Sequence, residues 1–160
     1  MRVLGLDPGT VHTGFGVVEE DGDRMVRVAS GVIDVGSGIL ASRLVQLHGE
    51  LERLIARWSP EACAVEDLFY HRSARAALAL GHARGVCLLA CAARGLEVIE
   101  YQPRAVKKAV TGNGAADKQQ VASMVARLLG DDVESSDHAS DALAAAICLL
   151  QARQPLRVFE

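Results

Sequence analysis

No run of apolar residues approaches the ~20 needed to cross a bilayer, so the sequence offers no support for a membrane role. The opening stretch, Met1 to Asp7, meets an acid at the seventh position, with no long apolar segment and no cleavage site of the secretory kind. It does not read as a leader, and a cytoplasmic location is expected. Internal repeats, low-complexity tracts and Pro- or Ser-rich linkers are also missing. The 160 residues are therefore expected to form one domain with a single substantial core, with residues 153–160 as a tail. Cysteine is sparse and unpaired in pattern: Cys63, Cys87, Cys91 and Cys148 include no Cys-x-x-Cys. Cys87 and Cys91 share a helix face, but a zinc site there needs two more ligands and only His82 is near. Buried, reduced thiols are expected.

Excess positive charge is lacking too. The net charge of −3, taken whole, does not suggest a nucleic-acid binder. Its distribution does. Residues 1–66 hold six basic against ten acidic residues, whereas residues 69–120 hold eight basic against three acidic. All three lysines fall between positions 107 and 118. Asymmetry of this size can build one positive face on a protein of modest overall charge.

Three strands open the chain. Arg2 to Asp7 is apolar and β-branched and stops at the turn residues Pro8-Gly9-Thr10; Gly14 to Glu19 follows. Asp21-Gly22-Asp23 then turns into a third strand from Arg24 to about Val35. Leu40, Leu44, Leu47, Leu51, Leu54 and Ile55 recur at helical intervals until Ser59-Pro60. Ala62 to Leu68 reads as a fourth strand, Ser73 to about Ala93 as a long Ala-rich helix, and Leu96 to Tyr101 as a fifth strand. Pro103 suits the first turn of a short helix, Asp117 or a neighbour caps another through Leu129, and a last helix runs from about Asp137 to Ala152. Three antiparallel strands followed by strands that arrive through helical crossovers predict an α/β fold. Its sheet is mixed and five-stranded, with helices on both faces.

Asp7 and Glu66 each end an otherwise apolar strand, where a charge is costly unless it faces a cleft or a ligand. Asp7 before Pro-Gly would equally suit a turn, and Glu66 beside Asp67 a solvated strand end. His138 and Asp141, three apart, share one face of the last helix. Asp137 suits the helix N-cap, although its four-residue spacing from Asp141 leaves it open as a ligand. Converging hard oxygen donors fit Mg²⁺ or Mn²⁺, and phosphodiester hydrolysis through two such ions uses an acidic cluster of this kind.

Gly5-Leu6-Asp7-Pro8-Gly9-Thr10 with Thr13-Gly14-Phe15-Gly16 resembles the opening motif of the RuvC resolvases. Val65-Glu66-Asp67-Leu68-Phe69, continuing through residues 77–85, is similar to that family's second motif. Residues 101–106 and 112–121 resemble its basic segment, and His138-x-x-Asp141-Ala-Leu-Ala its last. The motifs occur in order along essentially the whole chain. The resemblance implies an RNase H-like fold and a homodimer that nicks a four-way (Holliday) junction symmetrically, leaving 5′-phosphate and 3′-hydroxyl ends. It implies Asp7, Glu66, His138 and Asp141 as the catalytic, metal-binding set, with two ions per site and with His138 either ligating an ion or assisting proton transfer, and it implies cooperation with a branch-migration complex of the RuvA and RuvB type. A preference for a short T-rich site is implied as well. Many members carry Asp where this chain has His138. Imidazole is softer than carboxylate, so Mn²⁺ is expected to serve better than Mg²⁺.

Phe69 and Tyr70 are expected to stack on an unpaired base, a contact that contributes ~1–3 kcal/mol per base; ordinary core packing is the alternative for Phe69. Arg75, Arg104, Lys107, Lys108 and Lys118 are candidate phosphate contacts, and the apolar face of the 73–93 helix a candidate dimer contact. An actin-like ATPase or sugar kinase also opens on an Asp-x-Gly-Thr turn, but needs a second lobe and a second Gly-rich motif that this chain does not show. A non-catalytic junction binder would keep the lysines and lose acids, whereas every acid position here holds a competent ligand.

Overall fold

The computed structural model describes residues 1–67, 73–130 and 136–153. Five strands form one sheet in the order β3-β2-β1-β4-β5. They are β1 (Arg2–Asp7), β2 (His12–Asp21), β3 (Arg24–Asp34), β4 (Ala62–Glu66) and β5 (Glu97–Tyr101). The first three are antiparallel, and β4 and β5 run parallel to β1, as the hairpin-then-crossover pattern predicts. The helices are α1 (Leu40–Trp58), α2 (Ala74–Ala93), α3 (Pro103–Thr111), α4 (Lys118–Leu129) and α5 (Asp137–Arg153). The second strand is longer at both ends than its apolar pattern indicated, and the fourth ends at Glu66 rather than Leu68.

Several boundaries follow from local chemistry. Ser59, in the left-handed region at φ 46°, closes α1 and donates its N–H to the Ile55 carbonyl. Asp117 and Gln120 form a reciprocal capping box at the start of α4. One expectation is corrected: Asp137 is the first helical residue of α5, and the Ser136 hydroxyl instead accepts from the Ala139 N–H (3.3 Å).

The two-residue strand period sorts the core onto two sides of the sheet. Leu4, Leu6, Cys63 and Val65 pack under α1 and α2, while Val3, Ala62 and Ala64 face α3, α4 and α5. All four cysteines are free and buried, and burial pushes the Cys148 thiol up to about 11.

Helix α2 corrects a second expectation. By length and composition alone it is apolar enough to cross a membrane, with a mean hydropathy of 1.6, because alanines dilute its few charges. Its inner residues Ala83, Cys87, Ala90 and Cys91 are buried on the sheet and α1 side, and Leu80 is buried at the cleft. Its Arg84 ion-pairs with Asp67 (3.2 Å) and with Glu100, contacts of a helix packed in a folded domain. Its outer residues Leu78 and Leu89 are 66% and 61% exposed.

Candidate active site

Asp7 follows Val3 and Gly5 on the sheet face turned toward α5, and Glu66 follows Ala62 and Ala64 on that same face. Strands β1 and β4 are parallel neighbours in the register Leu6↔Val65. Both carboxylates therefore leave adjacent strand ends in the same direction. The other half of the site comes from the first turns of α5, whose position is set by glycines. A Cβ on Gly5 would lie 1.9 Å from the Ala142 carbonyl oxygen, one on Gly14 2.0 Å from that of His138, and one on Gly16 2.7 Å from Leu143 Cδ2. Only hydrogen fits in these spaces. The helix consequently lies flush on the sheet, with Asp7 paired to Gly14 across β1 and β2.

Asp7, Glu66, His138 and Asp141 line one cleft of ≈ 850 Å³, together with the Pro8–His12 turn, Lys107 and Lys118. His138 Nδ1 lies 2.8 Å from Asp7 Oδ2, and Lys118 Nζ lies 3.8 Å from Asp141 Oδ2. The Thr13 hydroxyl sits 3.3 Å from both the N–H and the carbonyl of Gly9, which pins the turn after β1. Asp137 is exposed and outside the cleft lining, one helical step away from the face that His138 and Asp141 share.

The cleft strains its own charges. Burial raises the Glu66 carboxyl to about 7, with the like charges of Asp7 and Asp141 adding to the effect. Asp7 is raised by burial against the opposing pull of its hydrogen bond to His138. Asp141 is raised by burial and by Asp7. Three oxygen donors that repel one another and one imidazole suit a hard divalent cation, which would reverse every one of these shifts. Among the described residues, no three such side chains are already gathered at ligand spacing. Asp7 is hydrogen-bonded to His138 and Asp141 is paired with Lys118, contacts that an incoming ion would replace.

Of the other expected site residues, Lys107 and Lys118 line the cleft. Arg75, Arg104 and Lys108 are exposed and lie outside its lining. Phe69 and Tyr70 fall outside the described residues. Sequence reasoning missed the roles of Gly5, Gly14 and Gly16, visible only as small residues on one strand face, and of His12. The His12 ring stacks on that of His138, with centroids 6.1 Å apart.

The family model described as crossover junction endodeoxyribonuclease RuvC matches residues 3–149. The chain is 50% identical over 148 residues to a protein of that description from Acidiphilium cryptum, covering 92% of this chain and 89% of the relative. It is 53% identical over 154 residues to one from Myxococcus xanthus, covering 94% and 80%. Among solved structures, Thermus thermophilus RuvC in complex with Holliday junction substrate superposes with a TM-score of 0.86 at 32% identity, covering 94% of each chain. Shared motifs, a shared RNase H-like fold and half-identical sequence over nearly the full length leave one assignment: this chain belongs to the RuvC family of crossover junction endodeoxyribonucleases.

Proposed function

We propose that this chain resolves four-way Holliday junctions by symmetric, metal-dependent phosphodiester hydrolysis, leaving 5′-phosphate and 3′-hydroxyl ends. The reading rests on one observation above all: Asp7, Glu66, His138 and Asp141, from three separate elements, share one cleft with Lys107 and Lys118. The junction bound by the Thermus relative supports the same substrate class.

In this reading the four side chains would hold two Mg²⁺ or Mn²⁺ ions, which would supply activation of the attacking water and neutralisation of charge on the leaving oxygen. Asp7 would be the ligand common to both ions, with Glu66 and Asp141 supplying further oxygen donors. His138 contributes a nitrogen donor, which favours Mn²⁺ over Mg²⁺. Lys107 and Lys118 hold the phosphate at the cleft, and Lys118 leaves Asp141 as DNA and metal arrive. Arg75, Arg104 and Lys108 contact flanking phosphates, positioning the duplex arms without reading sequence. Phe69 and Tyr70, three and four residues after Glu66 in the sequence, would stack on an unpaired base at the crossover.

Opposing strands of a four-way junction are equivalent, so two identical sites related by a two-fold axis match its symmetry. Leu78 and Leu89, on the outer face of α2, supply apolar surface for that homodimer. The single 1–160 domain works on bacterial DNA in the cytoplasm, beside a RuvA- and RuvB-type branch-migration complex. The test is nicking of a synthetic mobile junction with Mn²⁺ or Mg²⁺, against EDTA and against Asp7→Asn. Paired nicks in opposing strands are expected with metal and wild-type protein only, faster in Mn²⁺. Equal turnover in saturating Mg²⁺ would remove the Mn²⁺ preference, and intact junctions under all conditions would remove the function.

A further inference from the structure

His12 begins β2 and lies opposite Asp34, the last residue of β3, in the strand register. Its Nε2 is 3.5 Å from Asp34 Oδ2, and Asp34 is itself fixed, because its Oδ1 accepts the Gly36 N–H at 2.7 Å. The His12 ring lines the cleft and stacks on the His138 ring at 6.1 Å with 28° between planes. That separation lies within the range of interacting ring pairs. A connected series of groups therefore runs from the β3 end to the β1 end: Gly36, Asp34, His12, His138, Asp7. Asp34, His12 and Asp7 belong to three successive strands of the sheet, β3, β2 and β1. His138 is the least restrained of the four candidate ligands, with a side chain 48% exposed near the start of α5. Among the described residues its side chain has one hydrogen bond, to an Asp7 oxygen that a cation would claim. Once Asp7 turns to a cation, the stack on His12 is what continues to restrict the imidazole.

We infer that His12, held by Asp34, is a positioning residue that keeps the His138 imidazole presented to the divalent cation. This rests on the reading of His138 as a ligand. A ring fixed in advance loses less freedom on binding, so the effect falls on metal affinity and not on the reacting groups. Loss of a group that orients a metal ligand typically weakens binding by about 10–100-fold. Because His12 is a partly exposed neighbour on a strand, the low end of that range is expected.

Free Mn²⁺ is measured by electron paramagnetic resonance against DNA-free protein, for wild type, His12→Ala, His12→Phe, His138→Ala and the double variant His12→Ala/His138→Ala. Thermal unfolding and junction nicking across Mn²⁺ concentrations are followed in parallel. We expect His12→Ala to weaken Mn²⁺ binding by about tenfold and to raise the Mn²⁺ needed for half-maximal nicking equally. Its melting temperature and its rate at saturating Mn²⁺ should stay close to wild type, and His12→Phe should recover most of the affinity. In the His138→Ala background, His12→Ala should have no further effect. Affinity within twofold of wild type for His12→Ala, or an equal loss whether or not His138 is present, overturns the inference. If His138→Ala itself binds Mn²⁺ as wild type does, the ligand reading fails first.

Discussion

Replacing Glu66 by glutamine should stabilise the metal-free protein while removing its activity. Glu66 has a carboxyl raised from its ordinary 4.5 to about 7, chiefly by burial and then by Asp7 and Asp141. A folded-state value above the unfolded one means the native protein keeps a proton that the unfolded chain releases. Stability contributed by that proton is intact below about pH 4.5 and is lost as pH rises to about 7. A shift of this size corresponds to about 3 kcal/mol, or about 2–3 kcal/mol after discounting for the partial exposure of the side chain. Glutamine keeps the shape and removes the charge. At pH 8 in EDTA and at fixed protein concentration, Glu66→Gln should therefore melt roughly 5–10 °C above wild type. The gap should shrink to below about 1 kcal/mol by pH 5. Added Mn²⁺ should raise the wild-type melting temperature and close the gap, because the cation neutralises the charge that glutamine removes. Thermal unfolding by circular dichroism across pH 5–8.5, with and without metal, measures all three. A variant melting at or below wild type at pH 8, or a gap independent of pH, refutes the argument that the cleft carries uncompensated negative charge.

Other consequences concern the frame and the surfaces. Gly14→Ala places a methyl group against the His138 carbonyl oxygen, so it should cost about 1–3 kcal/mol in denaturant melts. It should slow nicking by about 10²-fold through displacement of α5, whereas Gly38→Ala, with open space around it, should be neutral in both assays. Lys118→Ala should weaken junction binding and lower the slope of log affinity against log salt by about 0.9; an unchanged slope would show that Lys118 meets no phosphate. Leu89→Asp on the exposed face of α2 should convert a dimer to a monomer in light scattering; a dimer that persists would place the contact elsewhere.

Much of this architecture was legible in the residues because the signals were local. Asp7 and Glu66 stood out as charges ending apolar strands, and period-two alternation carried both to the same sheet face. Asp117 and Pro103 marked helix starts through their own backbone chemistry. What stayed hidden depends on partners distant in sequence. The glycines at 5, 14 and 16 have meaning only once α5 is known to lie on them, and His12 only once His138 is beside it. Asp137 and Ser136 are both good caps, and the choice between them depends on where the first turn of α5 begins. The apolar exterior of α2 reads like that of a buried helix, whereas Leu78 and Leu89 stand exposed on the single chain.

The central claim is that four groups, brought together by β1, β4 and α5, grip divalent cations beside a DNA phosphate. Anomalous scattering from crystals of the protein with junction DNA and Mn²⁺ tests it most directly. Manganese peaks bounded by Asp7, Glu66, His138 and Asp141 and touching a phosphate oxygen are the predicted result. Manganese bound elsewhere, with those four side chains turned apart, would contradict it.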